Sequence, residues 1–195
     1  MFHFADACRQ SLVDQNMFPS LNSCLCKADL NDPARVQLLR AMGNLCYYND
    51  KARKDLLACG LDELFKLLKY CTGLEPAVDN SSDEEKGSKS LLVTVAIGCL
   101  HNLTNENEEL RRAVYERGVM RVLKGFVAFL RSPSVLVHYG SCLENLLEMD
   151  EGKEAFVEQE LMLALYKFMD VEFLCGLGSN GQDFFATLGF LNALS

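Results

Sequence analysis

Histidine, tryptophan and long apolar runs are what this sequence is short of. It contains three histidines, His3, His101 and His138, and no tryptophan. Local spacing fixes no serine, cysteine or carboxylate beside His138, so a solvated or groove-lining ring is expected there, not a general base. Cys24-Leu25-Cys26 is not a zinc spacing, and no second cysteine pair or histidine pair completes a metal site. Gly176-Leu177-Gly178 has no Lys-Ser/Thr after it and no strand before it, which excludes a phosphate loop. The expectation is a non-enzymatic chain with no cofactor and no metal. No stretch approaches the ~20 apolar residues of a membrane span. The start MFHFADACRQ lacks the basic segment and apolar run of a secretion signal. The chain is therefore expected in the cytosol, and the sequons at Asn80 and Asn102 carry no weight. Positive charge is also scarce, with 19 Lys+Arg against 27 Asp+Glu and a net charge of −8. That excludes the basic face a nucleic-acid binder shows. It suits a partner with a basic segment, although simple solvation explains the same charge.

Apolar side chains are plentiful, at 49% of 195 residues, enough for a sizeable core. Nine cysteines are an odd number, and Cys46, Cys99 and Cys142 fall on predicted core faces, as buried free thiols of a reducing compartment would. The stretch from Arg35 to Leu68 reads as three helical patterns in a row. Leu38, Leu39, Met42, Leu45 and Cys46 form one stripe over Val36–Tyr47. Asn49-Asp50 offers an N-cap for Lys51–Cys59, Gly60 suits a left-handed C-cap, and Leu61–Tyr70 follows with Asp62 and Glu63 in its first turn.

This unit recurs in register. With Asn44, Asn102 and Asn145 each taken as zero, Leu45, Leu103 and Leu146 stand one on, and Leu56, Val114 and Val157 twelve on. Leu61, Val119 and Met162 stand seventeen on, and Leu64, Val122 and Leu165 twenty on. Gly60 and Gly118 stand sixteen on, with Leu161 in that place in the third copy. Asn102 and Asn145 are 43 residues apart, in the range of armadillo and HEAT repeats. Counting backward places Leu12, Asn16 and Met17 in a first, partial copy. Asp32-Pro33 and Pro133 open two of the long helices, Asp150 caps a short one, and Asp183–Leu194 reads as a further long helix. Residues 73–88, GLEPAVDNSSDEEKGS, interrupt the pattern and read as a disordered acidic loop inside one repeat, with helix resuming at Ser90. Ser81 and Ser82 precede Asp83-Glu84-Glu85, a context for acidophilic kinases, and an unmodified polar loop is the plainer reading. The fold expected is all-α: one armadillo-like, right-handed superhelical solenoid over 1–195, with about four repeats. Neither end carries a polar cap, so further repeats, a partner or self-association through those ends is expected.

The recurring asparagines are the candidate binding residues. On a concave groove, the amides of Asn44, Asn102 and Asn145 can both donate to and accept from an extended peptide backbone. Gln37, Arg40 and Tyr48 share that face in one repeat, and His138, Ser141 and Met149 in another. The same amides can instead bond the adjacent repeat and hold the stack together, and the sequence does not decide between the two. Importin-type armadillo proteins place a tryptophan four residues before this asparagine. Here those places hold Arg40, Gly98 and Ser141, which disfavours a nuclear-import receptor.

The segments LLRAMGNLCYYND, LHNLTNENEELRRAVYERGVMRVLK and CLENLLEMDEGKEAFVEQELMLALYKF carry a family likeness. They resemble consecutive repeats of the small-GTPase guanine-nucleotide dissociation stimulator family, and the polar insertion is similar to that family's layout. Asn-Leu-Thr-Asn-Glu-Asn and Glu-Gly-Lys-Glu-Ala-Phe are the most specific pieces. Ataxin-type armadillo proteins, with their own Gly-Asn-Leu-Cys-Tyr segments, are the competing likeness. The first resemblance implies a helical chaperone and exchange stimulator for Rho- and Ras-type GTPases with a polybasic, prenylated tail. It implies no catalytic side chain. A general armadillo scaffold gripping a peptide in its groove is the alternative.

Overall fold

The computed structural model describes residues 2–27, 30–47, 49–59, 61–73, 83–158 and 160–168. Eleven helices occur among them, and no strand. They are α1 Phe2–Asp14, α2 Phe18–Leu25, α3 Asp32–Cys46, α4 Asp50–Cys59, α5 Asp62–Thr72 and α6 Asp83–Thr104. Then come α7 Glu108–Glu116, α8 Val119–Phe126, α9 Pro133–Leu147, α10 Asp150–Glu158 and α11 Leu161–Phe168. A short 3-10 turn, Val127–Phe129, extends α8. The helix expected over Asp183–Leu194 lies outside the described residues. So does the middle of the acidic stretch 73–88, whose last residues are already in α6 because that helix starts at Asp83.

Short polar residues set the starts. Asn31 Oδ1 accepts the Ala34 N–H at 3.0 Å and opens α3 with Pro33 in its first turn. Asn49 and Asn107, five residues past their register asparagines, do the same for α4 and α7 through Ala52 and Leu110. Asp150 instead sits inside the first turn of α10, where it accepts from Lys153 Nζ at 2.8 Å. Gly118 at φ 80° and Asn16 at φ 55° make the left-handed turns before α8 and α2.

The long helices α3, α6 and α9 lie side by side, with α6 in the middle. A second rank, α2, α5, α8 and α11, packs behind them, and α4 packs on α7 along an edge. Because α6 is covered on both flanks and from behind, its buried positions come in adjacent pairs. Leu92 and Val93, Ala96 and Ile97, and Cys99 and Leu100 are all buried. Each fully buried Leu or Ile contributes about 2 kcal/mol, so stacking supplies what a lone helix of this length lacks. From residue 91 of α6 to Asn102, what remains uncovered is one narrow strip, Leu91, Thr94, Val95, Gly98, His101 and Asn102.

The third copy departs from the expected register. Val157 and Met162 are 61% and 54% exposed, and the core places are taken one residue earlier by Phe156 and Leu161. The turn from α9 to α10 is one residue shorter than those from α3 to α4 and α6 to α7. The shortening presses Gly152 onto the end of α9, where a Cβ would stand 2.0 Å from the Leu146 carbonyl oxygen. The left-handed turn residue shifts with it, to Glu160 at φ 54°. In the first copy the slip runs the other way: Val13 and Phe18 are buried in place of the expected Leu12 and Met17, with Leu12 exposed.

An arginine recurs nine residues past register zero, at Arg9, Arg53 and Arg111. Arg9 donates to the Tyr47 carbonyl at the end of α3, at 3.2 Å. Arg111 donates to the Asn145 carbonyl at 3.1 Å and pairs with Glu148 at the end of α9. Each therefore reaches across to the C-terminal end of the next long helix, where the dipole favours a cation. Arg53 pairs only with the exposed Asp50, and its Nε and Nη2 are buried without a partner.

Urea unfolding should separate these features. Gly152→Ala is expected to cost about 3 kcal/mol because backbone must move. Gly118→Ala, with open space around it but a left-handed backbone, is expected to cost about 1–2 kcal/mol. Arg111→Met should destabilise by about 1–3 kcal/mol, whereas Arg53→Met should be neutral or stabilising. The reverse order in either pair would contradict this packing.

Candidate binding groove

The uncovered strips of α3, α6 and α9 run together as one face. Gln37, Arg40 and Asn44 are exposed along α3, Asn102 and His101 are half-buried on α6, and His138, Ser141 and Asn145 are half-buried on α9. A cleft of about 300 Å³ opens between the helices, lined by Arg40, Asn44, Val95, Gly98, Asn102 and His138. Asn44 and Asn102 thus share one cleft. The Asn145 side chain is turned to the seam instead, where its Nδ2 donates to Thr104 Oγ1 at 3.1 Å across to α6. Thr104, fully buried, donates onward to the Leu100 or His101 carbonyl at 3.0 or 3.1 Å. Met149, expected on the open face, is buried. Tyr48, Ser81 and Ser82 lie outside the described residues, and Tyr47 is the exposed aromatic at the end of α3.

The sequence reading missed a second polar contact across this seam. His101 and His138 meet across the α6–α9 seam with their Nδ1 atoms 3.3 Å apart and ring centroids 5.6 Å apart. The His138 ring lies against Gly98, where the missing side chain leaves it room: an added Cβ would sit 3.4 Å from its Nε2. Burial holds both imidazoles below their usual range, and His138 lowers His101 further. At neutral pH both rings are uncharged, and one N–H···N bond joins them. The signal was present, since His101 stands beside Asn102 and His138 seven residues before Asn145, but only the packing of α6 on α9 brings them together. The arginine recurrence was equally visible and was not used.

Beneath the face lie the thiols of Cys46 and Cys142, pushed up by burial to about 12, and Cys99, raised in the same way. They are protonated core groups, not nucleophiles. Among the described residues, no cluster of three His, Cys, Asp or Glu could hold a metal ion. Among the described residues lining the cleft, Arg40 is the charged one. Acidic side chains gather elsewhere, with Glu108, Glu109 and Glu116 around a shallow depression on α7. The arrangement can grip an extended chain through its amides.

Stacked helical triplets with a polar strip along one face define an armadillo-type α-solenoid. The comparisons agree. A designed armadillo repeat protein in complex with the peptide (KR)4 superposes over 96% of this chain and 85% of its own, with a TM-score of 0.54 at 17% identity. In sequence, a Rap1 GTPase-GDP dissociation stimulator of Xenopus laevis (the 1-B form) is 28% identical over 163 residues, covering 80% of this chain. The GTPase-GDP dissociation stimulator vimar of Drosophila melanogaster is 27% identical over 122 residues, 61% of this chain. The chain spans 24% and 18% of the length of these two relatives. No family model matches it. The chain is thus similar in sequence to small-GTPase GDP dissociation stimulators and has an armadillo-repeat fold.

The Thr104–Asn145 bond tests whether that amide ties the stack. Thr104→Val and Asn145→Ala should each destabilise by about 1–2 kcal/mol, and the double variant by about 1 kcal/mol less than their sum. Additive losses in a denaturant double-mutant cycle would free Asn145 for the groove.

Proposed function

We propose that this chain is a non-catalytic regulator of small GTPases, which binds a Rho- or Ras-type GTPase and its basic, prenylated tail and promotes GDP dissociation. The observation that carries this is the likeness to GDP dissociation stimulators over four-fifths of the chain. The solenoid supports it physically. Net charge of −8 draws in a basic segment from a distance, while Asn44 and Asn102 bond its backbone in the cleft. Such a protein works by binding the GTPase so that its nucleotide site opens, and it needs no acid, base or metal of its own. The cytosol is the compartment in which such a partner would be met. Among the described residues, no helix is long and apolar enough to cross a membrane.

A second reading is favoured by one specific observation. The structurally similar designed protein is a peptide binder, and a groove alone suffices for a scaffold that grips a segment without affecting nucleotide.

A nucleotide-release assay separates the two. With prenylated and non-prenylated Rho- and Ras-type GTPases carrying a fluorescent GDP analogue, the regulator should accelerate release at least about tenfold. Its effect should weaken steeply as salt rises. Binding without faster release would leave the scaffold; no binding would remove both.

A further inference from the structure

The His101–His138 contact is not used by the binding reading, and its chemistry is distinctive. Two half-buried imidazoles on adjacent helices share a single hydrogen bond, which requires at least one neutral ring. Among the described residues, the groups around the pair offer a second positive charge no counter-ion. From α3 the cleft receives the Arg40 guanidinium, and from α6 the protonated Cys99 thiol. On α9 the buried neighbours are Tyr139 and Cys142, both held neutral by burial. Glu148 is engaged by Arg111 at the end of α9, and Glu144 is exposed on that helix without lining the cleft.

We propose that the His101–His138 pair is a proton-operated gate on the groove: neutral, it closes the α6–α9 seam and admits a cationic segment, and doubly protonated it opens the seam and rejects that segment. This rests on the groove being the binding face. With both rings neutral, the charge among the described residues lining the cleft is that of Arg40. Protonating His138, which lines the cleft, would add a second like charge there, with no carboxylate among the described lining residues, and protonating His101 across the seam as well would replace the shared bond by repulsion. The sign for stability follows from the lowered titration of both rings. The folded state binds fewer protons than the unfolded one, so stability is held above the ordinary histidine range and falls as pH drops through and below it.

The test uses an N-acetylated, C-amidated (Lys-Arg)4 peptide as probe, because its remaining charges, all on Lys and Arg side chains, do not change between pH 7.5 and 5.0. Affinity by calorimetry should fall about tenfold or more over that interval, with the fold checked by circular dichroism. The His101→Gln/His138→Gln double variant, and the single His138→Gln should the double fail to fold, should lose that dependence. In NMR titrations of the free protein, both rings should titrate below the ordinary histidine range, and His138→Gln should move His101 to higher pH. If the peptide binds equally at both pH values, if the drop survives in the variants, or if the rings titrate independently in the ordinary range, the gate is overturned while the groove stands. If the peptide binds at no pH, the groove reading falls first and the gate falls with it.

Discussion

Everything in this molecule depends on α6 being held between α3 and α9. The middle helix buries paired apolar positions against both neighbours and the rank behind, and only the strip it cannot bury is left to face a partner. The groove is therefore the residue of packing, not a separate construction. Helices are brought close enough for side chains of one to complete the hydrogen bonds of another, as Asn145 on α9 does with Thr104 on α6 and Arg111 on α7 with the end of α9. A unit of three helices has too little interior of its own, so stability and binding surface both arise between units.

The repeat was legible because it is written twice, in apolar period and in polar punctuation. Asn49 and Asn107 cap where the spacing puts them, and Gly118 and Asn16 turn where a left-handed residue is needed. What failed was the assumption of constant turn length. One residue lost between α9 and α10 moves the core to Phe156 and Leu161, and its traces in the sequence are Leu161 at the glycine place and Gly152, a residue whose necessity depends on a carbonyl it meets in space. The open face was half legible. Arg40, Asn44 and Asn102 meet at one cleft as the period requires. The histidine pair joins residues 37 apart, and whether an asparagine points into the groove or into the seam depends on the distance between helices, which period alone does not contain.

The distribution of charge refines the picture of a basic partner. Glu108, Glu109 and Glu116 border a depression on α7 together with Arg112, while the described residues lining the cleft are Arg40 and neutral groups. In the proposed binding mode, steering and gripping fall to different surfaces: the field of the whole chain attracts, and backbone-directed amides hold. On that proposal, a small change inside the cleft, such as the protonation of His138, has an effect on binding out of proportion to its share of the total charge.

The most direct test of the account is where a basic GTPase tail peptide touches the chain, read from amide shifts in NMR as the peptide is added. The account predicts shifts concentrated on the side-chain amides of Asn44 and Asn102 and along the open strips of α3, α6 and α9. Shifts confined to Glu108, Glu109 and Glu116 on α7, with the strips unmoved, would contradict it.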